Sequence, residues 1–312
     1  MEIVFLDSDS YGEDIDLTSF NNLGNVKLYA DTLPRDVKVR IEDSDIVIIN
    51  NTEIGNEDIK FAKKLKLIAI AATGMNNVDL EYCKKMKIKV CNVPAYATES
   101  VTQHTFAMLF HLLEQIEYYD SYVKSGKWSK SGSPTHLGRK FVQLKGKRWG
   151  IIGFGNIGKN VARIAKSFGC EVVYYKRKNE TANESFQGLS LAQLLGSSSI
   201  ISIHAPINNE TRNMITKKEL ALIKPSSILL NLGRGGIVNE KDLAEALNNN
   251  KLMAGIDVFS HEPIEETNPL LSLGKPWNLL LTPHIGFASK EARNAVIEGT
   301  LNNIKEFLLE QN

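Results

Sequence analysis

Short apolar runs alternate with longer segments of helical period along almost the whole chain. Strands covered on both faces read as continuous apolar runs, so this pattern predicts parallel sheets with helical crossovers, an α/β fold. Before Pro94 the strand candidates are EIVFLD (2–7), VKLYA (26–30), DIVIIN (45–50), KLIAIAA (66–72) and IKVCNV (88–93). With helical spacers between them, these suffice for one small doubly wound domain.

After Pro94 the texture changes. Thr98 to Val123 keeps a helical period without Gly or Pro, which predicts one long helix, capped at Thr98 or Ser100, as a hinge between domains. The Gly, Ser and Pro content of KSGKWSKSGSPTH (124–136) marks a loop. A second strand series then follows: RWGIIGF (148–154), EVVYY (171–175), SIISIHA ending at Ala205, SSILLNL (226–232), KLMAGIDVF (251–259) and NLLLTPH (278–284). The closing segment SKEARNAVIEGTLNNIKEFLLE reads as an amphipathic helix.

Within RWGIIGFGNIGKN, the glycines Gly153, Gly155 and Gly158 fit G-x-G-x-x-G, with Asn156 and Ile157 between them, directly after a strand and before a helix. Gly153 permits the tight turn, Gly155 lets a pyrophosphate approach the backbone, and Gly158 lets helix pack on strand, so the unit reads as a dinucleotide site. An acidic residue at the end of the next strand normally accepts hydrogen bonds from the adenosine ribose. Here VVYYKRKNE places Lys176, Arg177 and Lys178 there instead. A 2′-phosphate meets no repulsion at such a strand end and finds charge-assisted donors, so NADP is expected over NAD. The alternative is a solvated basic strand end in an NAD enzyme.

Composition narrows the partners. The 312 residues are 43% hydrophobic, comfortable for two domains, and 37 Lys and Arg balance 36 Asp and Glu. That balance argues against nucleic acid or an anionic membrane as partner. The three cysteines, Cys83, Cys91 and Cys170, match no metal spacing and read as reduced core thiols in a cytoplasmic protein. A short N-terminal apolar run holding Glu2 and Asp7 is wrong for a secretory signal, and no apolar stretch is long enough for a membrane span.

Three further strand ends carry candidate chemistry. NLGRGG (231–236) places Arg234 just past a strand, among glycines that let a ligand come close; GIDVFSHEP (255–263) places Asp257 inside a strand and Glu262 beyond it; LLLTPHIGF (279–287) places His284 after the last strand. Reduction of a 2-keto acid needs a hydride, a proton for the carbonyl oxygen and a cation for the carboxylate. An imidazole is the natural proton donor, a carboxylate beside it favours its charged form, and a guanidinium matches a carboxylate with a planar fork. Taken singly, Arg234 reads equally as a surface ion pair, Glu262 as a cap and His284 as a core histidine. His204, followed by Ala205 and Pro206, reads as lining the cofactor cleft, and no metal is required.

With these motifs in this order, the chain resembles the D-isomer-specific 2-hydroxyacid dehydrogenase family over nearly its whole length. The resemblance rests on GFGNIG (153–158), NLGRGGIVNEKDLAEAL (231–247), AGIDVFSHEP (254–263) and TPHIGFAS (282–289). It implies that Arg234, Glu262 and His284 are catalytic and that Asp257 contacts the nicotinamide end. It further implies that the loop Ala72, Thr73, Gly74 and Met75 holds the substrate carboxylate on its backbone amides. The implied architecture is a flavodoxin-like substrate domain, residues 1–97 completed by 286–312, into which a Rossmann NAD(P) domain, residues 98–285, is inserted. A homodimer is implied, with the cofactor domains in contact. Segments TGMNNVDL and NVPAYATESVTQHTFAMLF resemble the glycerate dehydrogenases, also called hydroxypyruvate reductases, with hydroxypyruvate or glyoxylate as substrate. Pyruvate, as in D-lactate dehydrogenases, is the alternative, and Met75, Tyr96 and Phe287 are candidates for setting the choice. A cofactor-sensing interaction protein of the same fold is a reading from another class; turnover separates it from the enzyme.

Overall fold

The structure, a computed structural model, describes residues 1–177, 183, 185–249, 251–274 and 276–311. It divides into two compact units, Met1–Ala97 with Phe287–Asn312, and Thr98–Gly286.

In the first unit, β1 (Glu2–Phe5), β2 (Asn25–Leu28), β3 (Ile46–Ile49), β4 (Leu67–Ile70) and β5 (Lys89–Asn92) form a parallel sheet in the order β2-β1-β3-β4-β5. Alternate residues of each strand enter different cores: Val4, Val47 and Ile49 pack on one face, and Ile3, Phe5, Ile46 and Ile48 on the other. The helix Lys290–Glu310 brings Val296, Ile297, Ile304 and Phe307 to the second of these faces. Each such side chain contributes roughly 1.5–3 kcal/mol of transfer free energy, before the loss of conformational entropy. Its start is fixed by Ser289, whose hydroxyl accepts from the Ala292 amide at 3.2 Å.

The second unit holds β6 (Arg148–Ile152), β7 (Glu171–Tyr175), β8 (Gln187–Leu189), β9 (Ile200–Ile203), β10 (Ser227–Asn231), β11 (Leu252–Ile256) and β12 (Leu279–Leu281). All pair in parallel, in the order β12-β11-β10-β9-β6-β7-β8. The chain leaves β6 for β7 on one side and later returns to β9 on the other. Above the carboxyl end of β6 lies the switch point where α/β sheets open a ligand crevice.

Two features depart from the sequence expectation. The single helix expected from Thr98 to Val123 is two helices, Thr98–Glu114 and Ile116–Lys124, separated by Gln115 in a left-handed conformation with φ 53°. The Gln115 side chain accounts for the break: its amide donates to the Leu112 carbonyl at 2.7 Å, and its oxygen accepts from the Arg139 guanidinium at 2.5 Å. The other departure is β8, which the residues QGL did not announce. It exists because the sheet edge at β7 supplies the partners, Tyr174 pairing with Gly188 and Tyr175 with Leu189.

Candidate functional site

Directly after β6, the glycine loop has the geometry of an anion cradle. Gly153 sits at φ 93°, where a Cβ would stand 2.6 Å from the His204 carbonyl carbon, and a Cβ on Gly158 would collide with the Gly153 carbonyl oxygen. Around Gly155 the space is open, with nothing within 4 Å of a Cβ position. The helix Asn156–Ser167 begins here, so its first amides point at the loop. Close backbone packing on both sides and room at the centre fit a pyrophosphate.

At the end of β7, the Lys176 stem packs over Gly188, whose missing side chain makes room for it, and Arg177 forms an ion pair with Glu210 at 3.6 Å. Lys178, the third cation of that cluster, lies outside the described residues. Phe154, inside the glycine motif, stacks on Tyr174 with ring centres 4.4 Å apart, which joins the loop to β7. After β9, His204 Nε2 lies 3.0 Å from the Ser202 hydroxyl, which accepts from Trp149 Nε1 at 2.9 Å. Burial pushes the His204 imidazole down to about 3, so it is neutral at physiological pH. Its Nδ1 is buried and, among the described residues, has no partner. Ala205 packs its backbone against Gly153, and Pro206 accepts through its carbonyl from Thr211 Oγ1 at 2.7 Å.

Arg234 follows β10 in a turn fixed by the buried side chain of Asn231. That side chain donates to the Arg234 carbonyl at 3.1 Å and accepts from the Gly233 amide at 3.2 Å. The half-buried guanidinium donates to the Gly233 carbonyl at 2.9 Å. At two glycines of this turn the missing side chain makes room for neighbouring backbone. A Cβ on Gly233 would stand 2.7 Å from the Ala205 carbonyl oxygen, and one on Gly235 would collide with the Phe259 carbonyl, so neighbouring backbone occupies that space.

Glu262 and His284 meet. His284 Nδ1 lies 2.7 Å from Glu262 Oε2, while Glu262 Oε1 accepts from the Phe259 amide at 2.8 Å. Burial alone would raise the Glu262 carboxyl. The hydrogen bond and charge of His284, the Phe259 amide and the Arg234 charge outweigh it and hold the group below the usual glutamate range. The carboxylate thereby fixes the orientation of the imidazole.

Asp257 lies one residue beyond β11, not within a strand as expected, and it is 2% exposed. Its carboxylate accepts from Thr282 Oγ1 at 2.6 Å, the Ile285 amide at 2.9 Å and the Gly286 amide at 2.9 Å. Because the Thr282 proton points at Asp257, His104 Nε2, 3.2 Å from Thr282 Oγ1, must be the donor to that hydroxyl. Ser100 completes the clamp by donating to the Gly286 carbonyl at 2.7 Å. The segment so held carries His284 in a left-handed conformation, φ 52°. Sequence reasoning missed Asn231, Thr282 and Glu210 and read Ser100 only as a helix cap; the one cue available was a short polar residue at a strand end, at Asn231 and Thr282.

In the first unit, the loop after β4 contains Ala72, Thr73, Gly74 and Met75. The Ala72 carbonyl accepts from the Val93 amide at 3.0 Å and the Thr73 carbonyl from Asn92 Nδ2 at 2.7 Å. Among the described residues, the amides of Thr73, Gly74 and Met75 find no acceptor within the chain. A row of free amides on a fixed loop can bind a carboxylate.

Known proteins resemble the chain in sequence and in fold. Residues 106–286, more than half of the chain, match the model of the D-isomer specific 2-hydroxyacid dehydrogenase, NAD binding domain. A hydroxypyruvate reductase from Blautia hydrogenotrophica is 35% identical over 99% of this chain and 97% of its own. Among solved structures, the D-lactate dehydrogenase of Aquifex aeolicus, complexed with NAD and lactic acid, superposes with a TM-score of 0.87 at 26% identity over 99% of this chain and 96% of that one. An acyclic imino acid reductase in complex with NADPH and D-Arg gives a TM-score of 0.87 at 28% identity, over 99% of this chain and 98% of that one. These relatives share both units with this chain and not the glycine loop alone, and the chain belongs to the D-isomer specific 2-hydroxyacid dehydrogenase family of oxidoreductases.

Proposed function

We propose that the chain reduces a small 2-keto acid, hydroxypyruvate or glyoxylate, to its D-2-hydroxy acid, with NADPH preferred over NADH and with Arg234, Glu262 and His284 as catalytic residues. The observation that carries this reading is the 2.7 Å contact of His284 Nδ1 with Glu262 at the carboxyl edge of the sheet that also bears the glycine loop. The cofactor, held by Gly153, Gly155, Asn156, Ile157 and Gly158 with His204, Ala205 and Pro206, supplies the hydride when bound. Asp257, expected from the resemblance to contact its nicotinamide end, acts by holding the His284 segment in place. His284 delivers the proton to the carbonyl oxygen from Nε2, and Glu262 stabilises the charged imidazole before that transfer. Arg234 polarises the carbonyl and pairs with the carboxylate. The amides of Ala72, Thr73, Gly74 and Met75 are the proposed carboxylate anchor in the first unit.

Lys176 and Arg177 support the cofactor preference, since no carboxylate replaces them at the end of β7. One charge-assisted bond to a 2′-phosphate is worth about 1.5–3 kcal/mol, or roughly ten- to a hundredfold in affinity before solvent screening. The deciding assay gives the purified protein hydroxypyruvate, glyoxylate or pyruvate with NADPH and with NADH in parallel. Expected is oxidation of NADPH with hydroxypyruvate at a kcat/KM above that with NADH. A faster rate with pyruvate selects the D-lactate reading, and no oxidation with any pairing defeats the enzymatic one.

A homodimer formed through the second unit fits the same reading. The helix Ile116–Lys124 has no buried residue, and Ile116, Val123, Trp128, Leu137, Phe141 and Val142 are all exposed. So many apolar side chains on one segment call for a covering partner. Light scattering of the eluting protein should give twice the chain mass, and a monomer at micromolar concentration excludes the assignment. Among the described residues no helix is long and apolar enough to cross a membrane. The free thiols Cys83, Cys91 and Cys170, all pushed up to about 11 by burial, support a reducing cytoplasmic setting.

A further inference from the structure

We propose that Glu210 sets cofactor specificity: it holds Arg177 in an ion pair across the adenosine end of the crevice and must release it before a 2′-phosphate binds. The inference rests on the cofactor reading above for where the adenosine lies. Its physical basis is topological. β7 and β9 are the two neighbours of β6, and the glycine loop follows β6 between them. Arg177 lies two residues past β7, and Glu210 lies in the segment that follows β9. Their contact at 3.6 Å therefore bridges the two sides of the switch-point crevice.

Asn208 Oδ1 accepts from the Glu210 amide at 2.9 Å and from the Thr211 amide at 3.0 Å, a turn that anchors the Glu210 backbone. Thr211 Oγ1 secures the same turn by donating to the Pro206 carbonyl at 2.7 Å. Both side chains are exposed, 62% for Arg177 and 71% for Glu210, and the longer arginine side chain can turn from the carboxylate without any change in the anchored turn. A phosphate monoester carries a charge of about −1.5 to −2 near neutral pH and offers three acceptor oxygens, so it competes well with one carboxylate for a guanidinium. Parting the ion pair opposes NADPH and leaves NADH untouched. The pair is exposed enough to part readily, which makes Glu210 a brake on phosphate binding rather than a block.

The test uses equilibrium binding of 2′,5′-ADP and of 5′-AMP, measured by calorimetry on the full chain, so that it does not depend on turnover. In Glu210→Gln, the affinity for 2′,5′-ADP relative to 5′-AMP should rise about three- to tenfold, and the gain should shrink as ionic strength increases. In the double variant with Arg177→Gln the gain should vanish. An unchanged ratio in Glu210→Gln overturns the proposal. A gain that survives loss of Arg177 overturns it too, because Glu210 would then act without the ion pair. A wild-type protein that prefers 5′-AMP removes the NADPH preference alone; the difference made by Glu210→Gln still decides the role of Glu210.

Discussion

Replacing His284 by Ala is expected to lower kcat for 2-keto acid reduction by about 10²- to 10⁴-fold while the dissociation constant of NADPH changes less than about threefold. The asymmetry follows from the sheet order, in which β12, the strand before His284, is separated from β6 by β11, β10 and β9. Removing the imidazole leaves the glycine loop untouched. Glu262→Gln should give a smaller loss, because the amide keeps its size but not its charge. It should also change the pH profile. Burial would raise Glu262, yet His284, the Phe259 amide and Arg234 together depress it. For a depressed carboxyl, its support of the His284–Glu262 pair is present above the ordinary glutamate range and is lost as pH falls through the depressed value. The acid limb set by Glu262 therefore lies below the ordinary range in the wild type and is absent from the Gln variant. Single-turnover kinetics across pH, with cofactor binding followed separately, measures both effects; turnover by His284→Ala at the wild-type rate would remove His284 from the mechanism.

How much of this was legible in the sequence depends on the kind of contact. The strands other than β8 were, because a run such as DIVIIN buries both faces of β3 and no other element suits so short an apolar run. The glycine loop was also legible, since backbone sterics at Gly153 and Gly158 tolerate one residue type. Arg234, Glu262 and His284 were found as polar residues following apolar strands, and the structure brings Glu262 and His284 into contact. What stayed hidden are the side chains whose partners are backbone groups far along the chain. Asp257 is read in sequence as another strand-end acid, yet its acceptors are matched to amides 28 and 29 residues away. Asp7 does the same in the first unit, accepting from the Asn50, Asn51 and Thr52 amides after β3. Nothing in local pattern announces such a pairing, since each carboxylate finds these amides far along the chain. The break at Gln115 was hidden for the same reason, because it depends on Arg139.

Asp257→Ala should be the more damaging change to the molecule as a whole, and its effect separates two roles for this residue. If the carboxylate holds the His284 segment, its loss leaves the Ile285 and Gly286 amides and the Thr282 hydroxyl without an acceptor. Each buried polar group left unpaired costs about 1–3 kcal/mol. A left-handed conformation at a residue other than glycine costs a further 1–2 kcal/mol, roughly, and His284 keeps it only while its surroundings enforce it. Freed of the clamp, the segment relaxes and carries the imidazole away from Glu262. The expected result is a loss of about 2–5 kcal/mol in stability toward urea and about a hundredfold or more in kcat. NADPH affinity should be comparatively spared. Asp257→Asn should recover little of this, because its amide nitrogen would turn a donor toward one of the donors the carboxylate now accepts from. The alternative role, a contact with the nicotinamide end alone, predicts the reverse: stability unchanged, and cofactor affinity reduced at least about tenfold. The wild-type protein carries its own control, since hydrogen bonds from Thr282, Ile285 and Gly286, with His104, outweigh burial and hold Asp257 below the usual carboxylate range. Its contribution to stability is therefore full above that range and is lost as pH falls through the depressed value, a step that the Ala variant should no longer show.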